Sequence, residues 1–222
     1  GAGKTYTMSG SVSEPGLIPR ISAELFTQLQ ERSHIYQVSI SYIECYMEKV
    51  RDLLKLQPPL QIKGTSDNFH VQCAEFICLS PKQVLNHFQN GNLLRKTVQT
   101  DMNSHSSRSH AVFTFTVKKF LDNQLLQVSK LHLIDLAGSE LLRKSNVQNQ
   151  KESAAINLSL SVLGKLIKQI VEQQKHLCYR ESVLTKLLKE SIGGNAVTVV
   201  VLCLSLSKNN ADETYSCLDF GE

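Results

Sequence analysis

Two hydrophobic periods take turns along the chain. Tyr36–Tyr46 is dense in β-branched and aromatic residues, and Ala111–Val117 (AVFTFTV) alternates apolar and polar positions, so both are predicted as strands. Lys130–Asp135 (KLHLID) and Val197–Leu206 are short apolar runs, and the second has the β-branched density of a buried central strand. Between them, over Glu152–Glu172, Ile156, Leu160, Leu163, Ile167 and Ile170 recur at helical spacing and predict one face of a long helix. Ser182–Ile192 reads as a further helix, stopped by Gly193-Gly194-Asn195. Ser80-Pro81 ahead of Lys82–Asn90 predicts a helix with proline in its first turn. No repeat and no Gly/Ser linker interrupts the series, so the pattern predicts one α/β layered domain.

Composition narrows this reading. With 222 residues, 41% of them hydrophobic, the chain can bury a core large enough to exclude a disordered or collagen-like polymer. Its longest apolar run, Ala196–Leu206, is interrupted by Thr198, Cys203 and Ser205 and falls short of the roughly 20 residues of a bilayer span, so no membrane span is expected. A net charge of +4 is too mild to indicate a nucleic-acid partner. The positive excess is concentrated, however: Leu141–Glu190 alone carries 9 Lys/Arg and 4 Asp/Glu. That stretch suits an acidic partner, and equally a solvated helix surface. Six cysteines fit neither a CxxC pair nor a disulfide framework and read as reduced thiols of a cytoplasmic protein.

Three strings carry candidate chemistry. Gly1-Ala2-Gly3-Lys4-Thr5 is the tail of the phosphate-binding pattern GxxxxGK[ST]. Its glycines let backbone amides turn toward phosphate, Lys4 reaches the terminal phosphates, and the Thr5 hydroxyl is placed for Mg²⁺. Leu131–Asp135 ends an apolar run on a carboxylate, at the sheet edge where ligands of α/β domains sit, which suits a Mg²⁺ shell directly or through water. Gly138 follows closely enough to offer its amide to a terminal phosphate. Asn103–His110 sets Ser104, Ser106, Ser107 and Ser109 around Arg108, hydroxyl ligands beside a guanidinium fork. Standing alone, that segment reads as well as a solvated serine-rich turn or a phosphorylation site.

Together these strings resemble the phosphate loop, switch I (Asn103 to His110) and switch II (Asp135-Leu136-Ala137-Gly138-Ser139-Glu140) of kinesin motor domains. The resemblance runs along nearly the whole chain, through Gly16–Arg20, Ser41–Glu44, Asp52–Leu54, Thr100–Asn103, Ile156-Asn157, Ser159-Leu160, Tyr179–Ser182 and Gly193–Asn195. It implies a P-loop NTPase fold with a twisted, mostly parallel sheet flanked by helices, hydrolysis of ATP with Mg²⁺, and binding to microtubules (tubulin) in the cytoplasm and cytoskeleton. It further implies that Gly1, Ala2, Gly3, Lys4, Thr5 and Tyr6 hold the nucleotide and that Thr5, Ser107 and Asp135 serve the metal. Gly138 would sense the γ-phosphate, Arg108 and Glu140 would pair across the back of the site, and the helix over Glu152–Glu172 would couple nucleotide to filament. Lys144, Lys151, Lys186 and Lys189 become the candidates for the acidic tubulin surface. Residues 1–222 are on this reading part of a motor domain, with strands ahead of the phosphate loop and a neck linker beyond Glu222. In isolation such a part is expected to be unstable and to bind ATP weakly.

The sequence departs from the family pattern on the filament side. Leu158 and Val183 stand where lysine is usual, Cys178 where proline is common, Asp219 where arginine is familiar, and Gly221 where alanine is. The segment after Glu140 lacks the usual arginine and glycines. A divergent kinesin-like domain that binds a filament or partner without productive motility is therefore the alternative to a working motor.

Overall fold

The computed structural model of the chain describes residues 2–65, 68–97, 108–138 and 150–221. Its centre is a sheet in the order β2-β1-β6-β7, built from β1 (Ile35–Tyr46), β2 (Lys49–Asp52), β6 (His110–Leu121) and β7 (Gln124–Asp135). The short β5 (Phe76–Cys78) also pairs with β1, and β3 (Ile62–Thr65) forms a separate hairpin with β4 (Asn68–Val71). Helices α1 (Lys4–Ser9), α2 (Leu17–Gln30), α3 (Pro81–Thr97), α4 (Gln150–Val171), α5 (Val183–Leu187) and α6 (Ala211–Gly221), with short 3₁₀ turns at Tyr179–Glu181 and Lys208–Asn210, complete the described elements.

All pairings among the described strands are antiparallel, where the resemblance implied a mostly parallel sheet. The cause is local. Asp122 and Asn123, both at positive φ, make the two-residue turn between β6 and β7, and Met47 and Glu48 do the same between β1 and β2. Two successive left-handed residues turn a strand straight back on itself with matching twist. In the first half of β7 the apolar Leu125, Leu126 and Val128 do not alternate strictly with polar residues and are exposed, so the strand expected at Lys130 begins six residues earlier, at Gln124.

The sheet separates two cores. Tyr42, Phe113 and Leu133 stand in register on one face and pack with Val84 and Phe88 of α3 and Ile18 of α2. Helix α3 buries Val84, Phe88, Gly91 and Arg95, one stripe at helical spacing. Gly91 is needed there because a Cβ would stand 2.5 Å from the Tyr42 ring. On the opposite face, Ile43, Val112 and Ile134 meet Val183 and Leu187 of α5, and Leu163 of α4 packs with Leu184 and Leu188. Over Ala154–Val171 α4 is long and apolar enough to cross a membrane by length and composition. Its buried Ile156, Val162, Leu163 and Leu166 show where that apolarity goes in this fold.

Two sequence expectations are corrected. The helix expected over Ser182–Ile192 is helical only over Val183–Leu187, where the Ser182 hydroxyl caps it by accepting from the Thr185 amide, and continues as turns. The apolar run Val197–Leu206 is not a strand: Val197 and Leu206 are fully exposed. Composition can favour a strand, but only a hydrogen-bonded neighbour makes one, and no described strand pairs with this run or with the second edge of β7.

Candidate functional site

The candidate site gathers where α1 meets the end of β7. Gly3 caps α1 in the left-handed region (φ 97), and a Cβ there would meet nothing within 4 Å, so its requirement is conformational rather than steric. The turn it makes starts α1 with Lys4 and Thr5 on its first turn. The Thr5 hydroxyl donates to Asp135 Oδ2 at 2.8 Å, joining residues 130 positions apart. Two motifs far apart in the sequence thus meet in one hydrogen bond.

Sheet register builds the rest. Glu44 of β1 stands opposite Ala111 of β6, and Ala111 stands opposite Asp135 of β7. The three residues form one row on the face that α3 covers, with a methyl group between two carboxylates. Into that gap comes Arg95 from the last turn of α3, only 4% exposed. Its Nη1 donates to Asp135 Oδ2 at 3.2 Å, its Nε lies 3.5 Å from Glu44 Oε1, and its Nη2 donates to the Ser109 carbonyl at 3.0 Å. Glu44 and Asp135 are both buried, so one guanidinium offsets two desolvated negative charges. Burial, aided by the nearby Asp135 and Glu44 charges and opposed by Arg95, pushes the Tyr42 hydroxyl up to about 12, and it donates to Asn92 Oδ1.

Asp135 has one oxygen left. Oδ2 takes both donors, while Oδ1 is buried and without a hydrogen-bond partner among the described residues. A buried carboxylate oxygen left unpaired is costly unless something satisfies it. Beside the Thr5 hydroxyl it is a hard oxygen donor of the kind a hydrated Mg²⁺ takes. The residues present fit that ion.

On the other face of β6, one residue before Ala111, His110 is buried against α4. The Ala137 amide donates to His110 Nδ1 at 3.0 Å, so the ring proton sits on Nε2, which lies 2.8 Å from Ser159 Oγ. Burial, and secondarily the Arg95 charge, lowers the His110 pKa from 6.5 to about 4. The folded protein therefore keeps this ring neutral where the unfolded chain protonates it. As pH falls below 6.5 the unfolded state binds more protons, and stability declines until about pH 4, on the order of 3 kcal/mol from this group alone. His132 titrates in the same direction, burial being its main cause. Urea denaturation at about pH 7 and about pH 4.5 checks this, and a His110→Asn variant should lose most of the extra acid sensitivity.

The other expected residues divide as follows. Ala2 and Lys4 are half-buried at the start of α1, and Tyr6 is exposed, its hydroxyl donating to Glu14, which raises its pKa. Gly138 is buried just beyond β7, and Arg108 is half-buried just before β6. Gly1, Ser107, Glu140 and Lys144 lie outside the described residues, as does the side chain of Lys151 in the first turn of α4. Lys186 is half-buried on α5. Lys189, expected to face a partner, lies over the rings of Tyr179 and Phe69, 5.4 and 5.6 Å from their centroids, and ties β4 to the segment ahead of α5. Sequence reasoning missed Arg95, although a charged residue on the buried stripe of α3 was a readable signal. It also passed over His110 and Ser159 as individual residues, because nothing in their spacing marks them as partners.

A family model, the kinesin motor domain, matches residues 1–222. The chain belongs to this family. Among curated proteins it is similar to the kinesin heavy chain of Drosophila melanogaster, 40% identical over 99% of this chain and 24% of that one. It is similar as well to the human kinesin-1 heavy chain, 36% identical over 100% and 24%. The chain thus spans about a quarter of the length of these relatives. A solved structure of a fast kinesin, described for its ATPase mechanism and interactions with microtubules, superposes with a TM-score of 0.90 at 37% identity, covering 100% of this chain and 66% of that one. The kinesin motor fold expected from the sequence is therefore the observed one.

Proposed function

We propose that this kinesin motor domain belongs to a microtubule motor that hydrolyses ATP and couples hydrolysis to filament binding and movement. The observation that carries the reading is the Thr5–Asp135 hydrogen bond, which brings the phosphate-loop hydroxyl together with a strand-end carboxylate whose Oδ1 has no partner among the described residues. Thr5 and Asp135, with Ser107 by motif, would hold Mg²⁺, which when bound offsets the charge of the phosphates. Lys4 binds the terminal phosphates, Gly138 offers its amide to the γ-phosphate, and Arg108 and Glu140 close the site behind the attacking water. Arg95 keeps Asp135 oriented through all of this. The basic run Leu141–Glu190 supplies the surface for acidic tubulin, with exposed Lys165, Lys168 and Arg180 joining half-buried Lys186.

One observation favours a second reading, a filament-binding domain without productive motility: Leu158 stands exposed on α4 at a position where the family pattern has lysine. Co-sedimentation of the intact protein with microtubules separates the two. A motor should bind about tenfold more tightly with a non-hydrolysable ATP analogue than with ADP, and more weakly as salt rises. Equal affinity in both nucleotide states favours the second reading, and no binding at all contradicts both.

A further inference from the structure

We propose that His110 and Ser159 form a positioning link that reports the state of the nucleotide site to α4; the inference rests on the nucleotide-binding reading above and names its route. The link is a directed series of hydrogen bonds. The Ala137 amide donates to His110 Nδ1 at 3.0 Å, Nε2–H donates to Ser159 Oγ at 2.8 Å, and the Ser159 hydroxyl donates to the Ile156 carbonyl at 2.8 Å. Each donor has one acceptor and each ring nitrogen one task, so the series admits only one neutral tautomer.

Both ends sit where they matter. Ala137 lies between Asp135, which carries the unpaired oxygen, and Gly138, whose amide faces the phosphate position in the proposed function. Ile156 and Ser159 lie on the buried side of α4, one helical turn apart. Strand β6 fixes the ring between them: adjacent residues point to opposite faces, so Ala111 lines the Arg95 row while His110 faces α4. Any rotation of the backbone at Ala137–Gly138 to meet a phosphate turns the Ala137 amide with it. All four residues are buried, so no water replaces a broken bond. The ring must follow the amide and α4 must follow the ring, or the amide must stay in place. A hydrophobic contact at the same place would slide; a buried, saturated series of hydrogen bonds has discrete arrangements.

The test is backbone amide hydrogen exchange across residues 154–163 of α4 in the intact protein, with ADP and with a non-hydrolysable ATP analogue. The unmodified protein should show protection that differs about tenfold between the two nucleotides. Ser159→Ala, which removes the acceptor of His110 Nε2, should reduce that difference to about twofold or less while nucleotide affinity stays unchanged, and Ser159→Thr, which restores a hydroxyl, should recover it. A Ser159→Ala protein that keeps the full difference overturns the link. So does equal loss of protection in both nucleotide states that threonine fails to rescue, because that marks a purely structural role. A nucleotide-independent α4 in the unmodified protein overturns it as well. Loss of the difference in Ser159→Ala, in a protein that never binds microtubules, supports the link and sinks the motor reading instead.

Discussion

Replacing Arg95 by leucine is expected to cost about 3–5 kcal/mol of stability, the largest effect of any single substitution at this site. The side chain is 4% exposed and stands between two buried carboxylates, Glu44 and Asp135, held one strand apart on either side of Ala111. Removing the guanidinium leaves like charges facing each other across a methyl group, with no water to screen them. It also deprives the Ser109 carbonyl and hydroxyl of their donors. Leucine fills much of the volume, so the loss reads the charge rather than a cavity. Arg95→Lys should retain part of the stability, since a point charge replaces a fork that reaches three groups at once. The double variant Glu44→Leu/Arg95→Leu should recover part of the loss, because one of the uncompensated carboxylates is gone. Urea denaturation of the three variants checks the set. A loss below about 1 kcal/mol in Arg95→Leu, the range of an exposed ion pair, would contradict the arrangement.

Much of this molecule was legible before any coordinates. Periodicity located β1, β6, the apolar end of β7, and α4, because each buries one face and repeats accordingly. Thr5 and Asp135 could be paired by motif, and the structure puts them 2.8 Å apart. What escaped depends on register and pairing. The row Glu44–Ala111–Asp135 exists because three strands separated by long stretches of chain align to the residue, and no local pattern encodes that alignment. The hairpin directions were readable in principle, since Asp122-Asn123 is a fair two-residue turn, but the irregular spacing of Leu125, Leu126 and Val128 hid the exposed half of the strand on its far side. Val197–Leu206 has the composition of a buried strand and is exposed, because composition is a property of one segment and a strand is a property of two. Lys189 depends on the tertiary fold in the same way: its position over two aromatic rings has no signature in the local sequence.

Asp135 carries the second large effect. An Asp135→Asn variant keeps an acceptor toward Thr5 and Arg95, so the fold around it should survive. It loses the negative charge, however, and the amide nitrogen takes the place of Oδ1, a buried oxygen with no hydrogen-bond partner among the described residues. A donor there repels a divalent cation and its waters where the carboxylate would accept them. Groups that orient a metal shell typically cost 10- to 100-fold when removed, and loss of electrostatic complementarity adds to that, so ATP turnover should fall by about 100-fold or more. Nucleotide affinity in the absence of Mg²⁺ should change little, because Lys4 and the backbone of the phosphate loop are untouched.

The proposed coupling of ATP hydrolysis by this kinesin motor domain to a microtubule can be read directly in one measurement. The steady-state ATP turnover of the intact protein is recorded with and without microtubules, beside Asp135→Asn. Coupling predicts turnover that rises by about tenfold or more on adding microtubules and is lost in the variant under both conditions. Turnover indifferent to microtubules, or an Asp135→Asn protein as fast as the unmodified one, would contradict it.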